Sequence, residues 1–170
     1  MAVATRTEVG AAATVTVDVL FACSDHDILS EGEIRTWVDL AVAHSGRSPQ
    51  RSVEVAVRIV DVDEMRVLNA RYRQQDKATN VLSFPAGTID GLPEDEPQSL
   101  GDIVVCADVI IDEAREQGKV LADHCRHMLV HGTLHLLGYD HEIEVEAAEM
   151  ERREAEILAL RGICDPYTSS

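Results

Sequence analysis

Three closely spaced histidines near the end of the sequence have the pattern of a catalytic metal site. His131, His135 and His141 lie within the run HGTLHLLGYDH. Residues four apart share one face of a helix, so His131 and His135 can bind one ion together. Gly138 offers the left-handed backbone position that ends a helix, and the turn can return His141 toward the pair. Three imidazoles leave a fourth zinc position for water, which predicts a catalytic site rather than a structural one.

His127 continues the same ladder at i, i+4 and i+8, but it cannot join the other two. Eight residues of helix rise about 12 Å, whereas two nitrogens on one tetrahedral zinc ion lie within roughly 4 Å. We therefore expect His127 to pack in the core or to support the ligands from behind. The remaining histidines are expected at the surface or in satisfied core positions: His26, His44 and His124.

The histidine run also resembles the motif of a class of zinc proteases, H-E-x-x-H-x-x-G-x-x-H. Gly132 stands where those enzymes have the glutamate that takes a proton from the zinc-bound water. Glycine cannot do this, so either another group activates the water or the scissile bond needs different help. Asp140 is one candidate for such a role, or for orienting a ligand, and a purely turn-forming aspartate is the equal alternative.

The rest of the pattern predicts an α+β fold. About four strands are expected to form a small mixed sheet packed with about five helices, one of which is the zincin-like histidine helix at the metal site. Residues 1–13 have no period and are predicted to form a flexible tail, and residues 14–170 a single catalytic metallohydrolase domain. The strands are expected at 15–21, 53–60, 80–84 and 102–106, and three of the helices near 108–117, 122–137 and 143–160. Another helix is expected between the capping box of Ser30 with Glu33 and Gly46, and one more after Asp61, carrying Met65, Leu68 and Tyr72.

Several blocks of the sequence together resemble the YbeY family of bacterial metal-dependent endoribonucleases. They are Leu68-Asn69 with Tyr72-Arg73, Asp76-Lys77, the run TNVLSFP from Thr79 to Pro85, Gly101-Asp102-Ile103, Glu113-Ala114 with Gln117-Gly118, the histidine run, and Asp165-Pro166-Tyr167. The sequence departs from the family pattern at Gln74, Gln75 and Ala78, where glycine, a basic residue and proline are common. A different turn and the loss of one positive charge are expected there.

The resemblance implies a single-strand-specific endoribonuclease that acts in 16S rRNA 3′-end maturation and in 70S ribosome quality control. It implies that a zinc-bound water and Arg73 act on the RNA phosphodiester, with one Zn²⁺ per chain or another divalent transition metal in its place. Single-stranded RNA and the ribosome or small-subunit assembly proteins are the implied partners, in the cytoplasm. DNA is not an expected substrate.

The composition bears on these implications in two ways. No apolar run approaches the roughly 20 residues of a membrane span, and a membrane partner is not expected. The formal net charge of −16 opposes binding to a polyanion. Arg66, Arg71, Arg73 and Lys77 nevertheless fall close together with only Asp76 opposing them. Taken alone this cluster is a solvated helix face, whereas the resemblance makes Arg73 a residue of the cleft.

Two other classes of function stay open at this point. A zincin-type peptidase or another small hydrolase is favoured by the histidine spacing and opposed by Gly132. A ribosome-assembly protein could instead hold a purely structural metal. Because an acidic protein binds free RNA weakly, delivery to the substrate by a ribosomal partner is expected.

Overall fold

The fold is built on a mixed sheet of four strands in the order β1-β2-β4-β3. A computed structural model describes residues 13–23 and 28–168. Within those residues the element order is β1 (Val15–Phe21), α1 (Glu31–His44), β2 (Val53–Val60), α2 (Val62–Arg73), β3 (Val81–Pro85), β4 (Gln98–Cys106), α3 (Ala107–Gln117), α4 (Leu121–Leu136) and α5 (Glu144–Ala159). The predicted α+β class is confirmed. Most of the predicted tail and His26 lie outside the described residues.

The central strand of the sheet is β2, which runs parallel to both of its neighbours. Val15 of β1 pairs with Val53, and Val53 also pairs with Gln98 of β4. β3 is antiparallel to β4 and forms one edge of the sheet. The strict alternation of the sequence VEVAVRIV buries Val53, Val55, Val57 and Ile59, as the period of a strand requires.

The helices divide between the two faces of the sheet. α1, α4 and α5 contribute to the larger core, in which Ile34, Leu129 and Ile157 are fully buried with the inward residues of β2. A smaller core on the other face contains Met65 of α2. Burial of apolar side chains on this scale is the main stabilising contribution. In the described part of the chain, no helix has both the length and the apolar character needed to cross a bilayer.

α4 occupies the middle of the larger core and positions the histidines. It contacts β3, β4, α1, α3 and α5. Almost every residue from His124 to Leu136 is buried or half-buried, so the helix is held on several sides at once. A side chain projecting from such a helix has its direction fixed by the packing, which suits a site that must hold atoms within a fraction of an ångström.

Candidate metal centre

The three histidines predicted to bind a metal lie together at the C-terminal end of α4. The Nε2 atom of His135 is 3.1 Å from Nε2 of His131 and 2.9 Å from Nδ1 of His141. One ligand atom from each of the three residues lies within 4.8 Å of the others, a cluster that could hold a metal ion. His131 and His135 are half-buried and His141 is exposed, so the cluster is open to solvent on one side.

The turn that returns His141 is held in place by Gly138 and Tyr139. Gly138 has φ 92°, a left-handed conformation that favours glycine, and its N–H donates to the carbonyl of His135 over 3.0 Å. The Tyr139 side chain is buried, and its hydroxyl donates to the carbonyl of Ser45 at the end of α1 over 2.6 Å. The position of His141 therefore depends on α1 as well as on α4.

The outer nitrogens of the helical pair are already hydrogen-bonded, which orients both rings. Nδ1 of His135 lies 2.8 Å from the carbonyl oxygen of Tyr139, and Nδ1 of His131 lies 2.5 Å from Oε1 of Glu154. Because these acceptors require a proton on Nδ1, each Nε2 keeps its lone pair for the space between the rings. Burial, with His131 and His141 nearby, lowers the pKa of His135 to about 4. The donor set thus fits a divalent transition metal.

Glu154 is a site residue that the sequence pattern did not reveal. It belongs to α5, in which most glutamates are exposed, yet its own side chain is fully buried. Burial alone would raise the pKa of Glu154, but hydrogen bonds from His127 and His131 outweigh it and hold the pKa at about 2. The available signal was helical spacing: Met150, Ile157 and Leu158 form the buried stripe of α5, and Glu154 lies within it.

His127 lies one turn before the cluster and contacts it only indirectly. Its side chain is buried, and Nε2 is 3.0 Å from the second oxygen of Glu154. The geometric exclusion of His127 from the three converging nitrogens agrees with its absence from the cluster. His127 therefore contacts the same carboxylate that His131 contacts, and within the described residues it makes no hydrogen bond to a histidine of the cluster.

Asp140 forms a turn. Its carboxylate accepts a hydrogen bond from the N–H of Glu142 over 3.0 Å, the geometry of a local aspartate turn. Among the described residues it makes no hydrogen bond to a histidine ring. This contact supports the turn-forming alternative over a role in orienting a ligand, although Asp140 does line the cleft beside His141.

The two other described histidines are away from the cluster. His44 is exposed in the last turn of α1. His124 is buried, and its Nε2 lies 2.7 Å from a carboxylate oxygen of Glu113. Both oxygens of Glu113 also accept from Asn80, which ties α3 to the loop before β3. His124 is thus a core histidine, as expected from the sequence.

A polar cleft of about 780 Å³ opens at the histidine cluster. Its lining includes Arg73, Lys77, Asn80, Ser83 and the three histidines. Arg73 is exposed at the end of α2, and it has no ion pair or hydrogen bond with any described residue. Arg71 does not line this cleft; its guanidinium lies over the ring of Tyr72, 5.4 Å from the centroid.

One other cation of the basic cluster, Arg66, is held in an ion pair. Arg66 forms a two-pronged ion pair with Asp76, with Nε–Oδ1 and Nη2–Oδ2 distances of 2.7 and 3.0 Å. The carboxylate of Asp76 is therefore engaged by Arg66 and, among the described residues, forms no ion pair with Arg73 or Lys77. The side chain of Asn69 donates to the carbonyl of Lys77 over 2.8 Å and holds this loop.

The loop between α2 and β3 begins with a residue in the left-handed conformation, and the different turn expected here stays a prediction. Gln74 ends α2 in the left-handed conformation, with φ 57° and ψ 33°. Among the described residues it is the only one other than glycine with positive φ. That conformation is strained for a residue with a Cβ atom, and glycine adopts it without this cost.

Gly132 faces the sheet at very close range. A Cβ atom built on it would lie 3.0 Å from Cγ2 of Ile103 and 3.1 Å from Oγ of Ser83. A larger residue at this position would therefore require the neighbouring side chains of β3 and β4 to shift. The zinc proteases carry a glutamate at this position. Here a glycine packs against the sheet, so no side chain extends into the cleft.

The arrangement as a whole defines the class of protein. A mixed sheet backed by a buried helix, with two histidines on that helix and a third returned by a glycine turn beside an open cleft, is an α+β protein with a candidate metal centre. The sequence model of the Endoribonuclease YbeY family matches residues 20–162. The chain belongs to this family, as its resemblance suggested.

Individual relatives agree with the family match. A curated protein of Halorhodospira halophila named Endoribonuclease YbeY is 54% identical over 134 residues, which cover 79% of this chain and 84% of that protein. Proteins with the same name from Xanthomonas euvesicatoria and Colwellia psychrerythraea are 51% and 42% identical, each over 89% of this chain and over 92% and 96% of their own lengths.

A solved structure supports the fold. The solution structure of a protein from Thermotoga maritima superimposes with a TM-score of 0.55 at 24% identity. The match covers 91% of this chain and 100% of that one. At this level of identity the comparison bears on the fold alone.

Proposed function

We propose that this protein is a metal-dependent endoribonuclease that hydrolyses phosphodiester bonds of single-stranded RNA. The observation that carries the proposal is that the guanidinium of Arg73, which pairs with no described residue, lines the same polar cleft as three convergent imidazoles. Membership of the endoribonuclease YbeY family supports the same reaction class. The finer proposal is that the substrate is 16S rRNA near its 3′ end and that the protein also acts in 70S ribosome quality control, in the cytoplasm.

His131, His135 and His141 would hold the metal, and zinc is the ion we propose. Three neutral nitrogen donors suit Zn²⁺, and hydrogen bonds to Nδ1 of His131 and His135 keep those two rings in the binding tautomer. When bound at such a site, a divalent ion supplies Lewis-acid stabilisation of phosphoryl charge and a water of lowered pKa. The open side of the cluster leaves room for a phosphoryl group and for that water.

Arg73 is the residue that we propose to stabilise the transition state. Cleavage of a phosphodiester concentrates negative charge on the nonbridging oxygens, and a guanidinium can bind two oxygens at once without losing its proton. Since no described residue pairs with Arg73, its charge is available to the substrate. Lys77 lines the same cleft and would hold the RNA backbone as a simple positive charge.

The overall charge limits how the substrate arrives. A net charge of −16 repels RNA at a distance, and Arg73 and Lys77 are the cations among the residues that line the cleft. Binding energy from two phosphate contacts is small, so we propose that a ribosome-bound or small-subunit assembly partner brings the RNA to the cleft. The protein would then cleave efficiently in that context and poorly on free RNA.

Peptide hydrolysis is the alternative that the site opposes. A zinc peptidase of the related pattern needs a glutamate at the position of Gly132, where side chains of the sheet pack tightly and leave little room for one. The Asp140 carboxylate is engaged with the N–H of Glu142. We accordingly assign the cleft to a charged phosphodiester, for which Arg73 is suited, and not to an amide.

One experiment tests the reaction class and the metal together. Purified protein should contain about one zinc per chain and cleave a single-stranded RNA oligonucleotide. Chelation should abolish cleavage, and zinc should restore it. Duplex RNA, single-stranded DNA and a peptide library serve as competing substrates. Robust peptide cleavage, or RNA cleavage that survives complete removal of metal, would overturn the proposal.

A second experiment tests the cellular role. The relevant variant is His131→Ala, expressed in cells that lack the protein and accumulate unprocessed 16S rRNA. Failure to restore processing, with zinc and cleavage both lost in vitro, supports a catalytic role. Full restoration by this variant would instead favour an assembly protein whose nuclease activity is incidental.

A further inference from the structure

One carboxylate of α5 differs from its neighbours in both burial and bonding. Glu144, Glu149, Glu151 and Glu156 are exposed to solvent, whereas Glu154 has no exposed surface. Its ion-pairing partners among the described residues are the imidazoles of His127 and His131, and no lysine or arginine pairs with it. A buried carboxylate without a cation is costly unless hydrogen bonds and a nearby positive charge compensate it.

The hydrogen bonds around Glu154 fix the role of each partner. An ionised carboxylate can only accept, so all three of its neighbours must donate to it. They are Nδ1 of His131 at 2.5 Å, Nε2 of His127 at 3.0 Å and the hydroxyl of Tyr167. His131 therefore has its proton on Nδ1, and its Nε2 is left as a lone pair facing His135.

Tyr167 reaches this position from the segment that follows α5. Its own N–H donates to the carboxylate of Asp165 over 2.8 Å, which forms a turn at Asp165-Pro166-Tyr167. The Tyr167 ring meets the His127 ring edge-on, with centroids 5.4 Å apart and planes at 89°. The segment is thus folded against the rear of the histidine helix.

We propose that Glu154 is the positioning residue of the metal centre and that Tyr167 fixes Glu154 in turn. Glu154 selects the tautomer and ring direction of His131, and a divalent ion on the far side of that ring supplies the positive charge that the buried carboxylate lacks. His127 and Tyr167 hold the carboxylate so that it cannot rotate away. The inference rests on the proposed metal site but concerns residues outside the three ligands.

The test compares Glu154→Gln with the matched control Glu149→Gln, which alters an exposed glutamate of the same helix. Zinc affinity is measured by competition with a chromophoric chelator, and folding by circular dichroism in the metal-free state. Loss of an outer partner of a metal-bound histidine typically weakens metal affinity about 10- to 100-fold. We expect that loss for Glu154→Gln, less than twofold change for Glu149→Gln, and a smaller loss, at most about tenfold, for Tyr167→Phe.

A spectroscopic measurement separates positioning from mere packing. Nitrogen-15 NMR of the metal-free wild-type protein at pH 8 should show His131 as the Nδ1–H tautomer, and Glu154→Gln should convert it to a mixture. If wild-type His131 has its proton on Nε2, or if Glu154→Gln binds zinc as tightly as the control, the inference is wrong. If zinc never binds but the tautomer depends on Glu154, the metal proposal fails while the positioning of His131 stands. If Glu154→Gln fails to fold, the tautomer of His131 in the wild-type protein and the zinc affinity of Tyr167→Phe decide.

Discussion

The hydroxyl of Ser83 in β3 donates a hydrogen bond to the carbonyl oxygen of Gly132 in α4 over 2.9 Å. This bond joins the sheet to the middle of the helix, one residue after the first histidine of the cluster. A glycine fits this close approach without displacing the neighbouring side chains. Ser83 and Gly132 thus hold α4 close to β3 beside His131.

Adding a side chain at this contact should destabilise the protein. Gly132→Ala places a methyl group 3.0–3.3 Å from side-chain atoms of Ile103, Ser83 and Val81, so these neighbours must shift by a few tenths of an ångström. We expect a loss of about 1–3 kcal/mol in the free energy of unfolding, typical of overpacking, measured by urea denaturation. Gly32→Ala in α1 is the control, because nothing lies within 4 Å of its Cβ position. That change should be neutral or slightly stabilising.

Replacing His135 and replacing His127 should have very different effects on metal content. His135→Ala removes the nitrogen that lies within 3.1 Å of both other ligand atoms and should abolish tight zinc binding. His127→Ala removes only one of three donors to Glu154 and should leave most of the binding. Metal analysis after dialysis gives the answer. Equal losses from the two substitutions would mean that the third ligand is wrongly assigned.

Reversing the charge of Arg73 should remove RNA cleavage without emptying the metal site. Loss of one donor to a transition state typically costs about 2.7–4 kcal/mol, or roughly 10²–10³ in rate, and Arg73→Glu should cost more because it adds repulsion. Arg73→Lys should fall in between, since lysine keeps the charge without the two-pronged geometry. Single-turnover cleavage rates, with zinc content measured in parallel, separate the two effects.

Arg71→Glu is the matched control for Arg73, since Arg71 is two residues away and does not line the cleft. It should cost much less activity. Equal effects of the two reversals would indicate a general basic patch. Loss of zinc or of folding in Arg73→Glu would indicate a structural role for Arg73.

The strained end of α2 offers a stabilising substitution. Gln74→Gly relieves a left-handed conformation at a residue with a Cβ atom and should raise the free energy of unfolding by about 0.5–1 kcal/mol. Thermal and urea denaturation measure the gain. Gln75→Gly provides the comparison, because Gln75 has no positive φ and glycine there only adds freedom to the unfolded chain. If Gln74→Gly lowered the free energy of unfolding as Gln75→Gly does, the proposed backbone strain at Gln74 would be contradicted.

His135 should remain neutral well below neutral pH in the metal-free protein. In the metal-free protein His135 has a folded pKa of about 4, lowered mainly by burial, against an ordinary value of 6.5. The unfolded chain therefore takes up this proton first as the pH falls. Stability from this group is complete above about pH 6.5 and is lost as the pH falls toward 4. NMR titration of the His135 ring should give a lower midpoint in the folded protein than in the protein unfolded in urea.

Local patterns were enough to predict the elements and the converging histidines. The spacing of His131 and His135 and the glycine at 138 determine their geometry within one helix and one turn, so no distant residue was needed. The capping box of Ser30 with Glu33 is also present, and it too depends only on residues close together in the sequence. The alternation of β2 likewise shows directly in its burial.

Contacts between distant residues were not predictable in this way. Glu154 is 23 residues beyond His131, and its burial depends on how α5 packs against α4. The contact of Gly132 with Ser83 spans 49 residues and depends on the order of the strands. Sequence reasoning identified Gly132 as a missing base, whereas the structure shows a position closed by packing.

The ion pair between Arg66 and Asp76 determines how many counterions the protein can displace from RNA. With Arg66 neutralised, Arg73 and Lys77 are the cleft-lining cations that can meet phosphates. Single-stranded nucleic acid loses affinity with a logarithmic salt slope of about −0.7 per phosphate contacted, so two contacts give about −1.4. Binding to free RNA should accordingly depend only weakly on ionic strength, and added salt should inhibit this protein far less than it inhibits a nuclease with a broad basic surface.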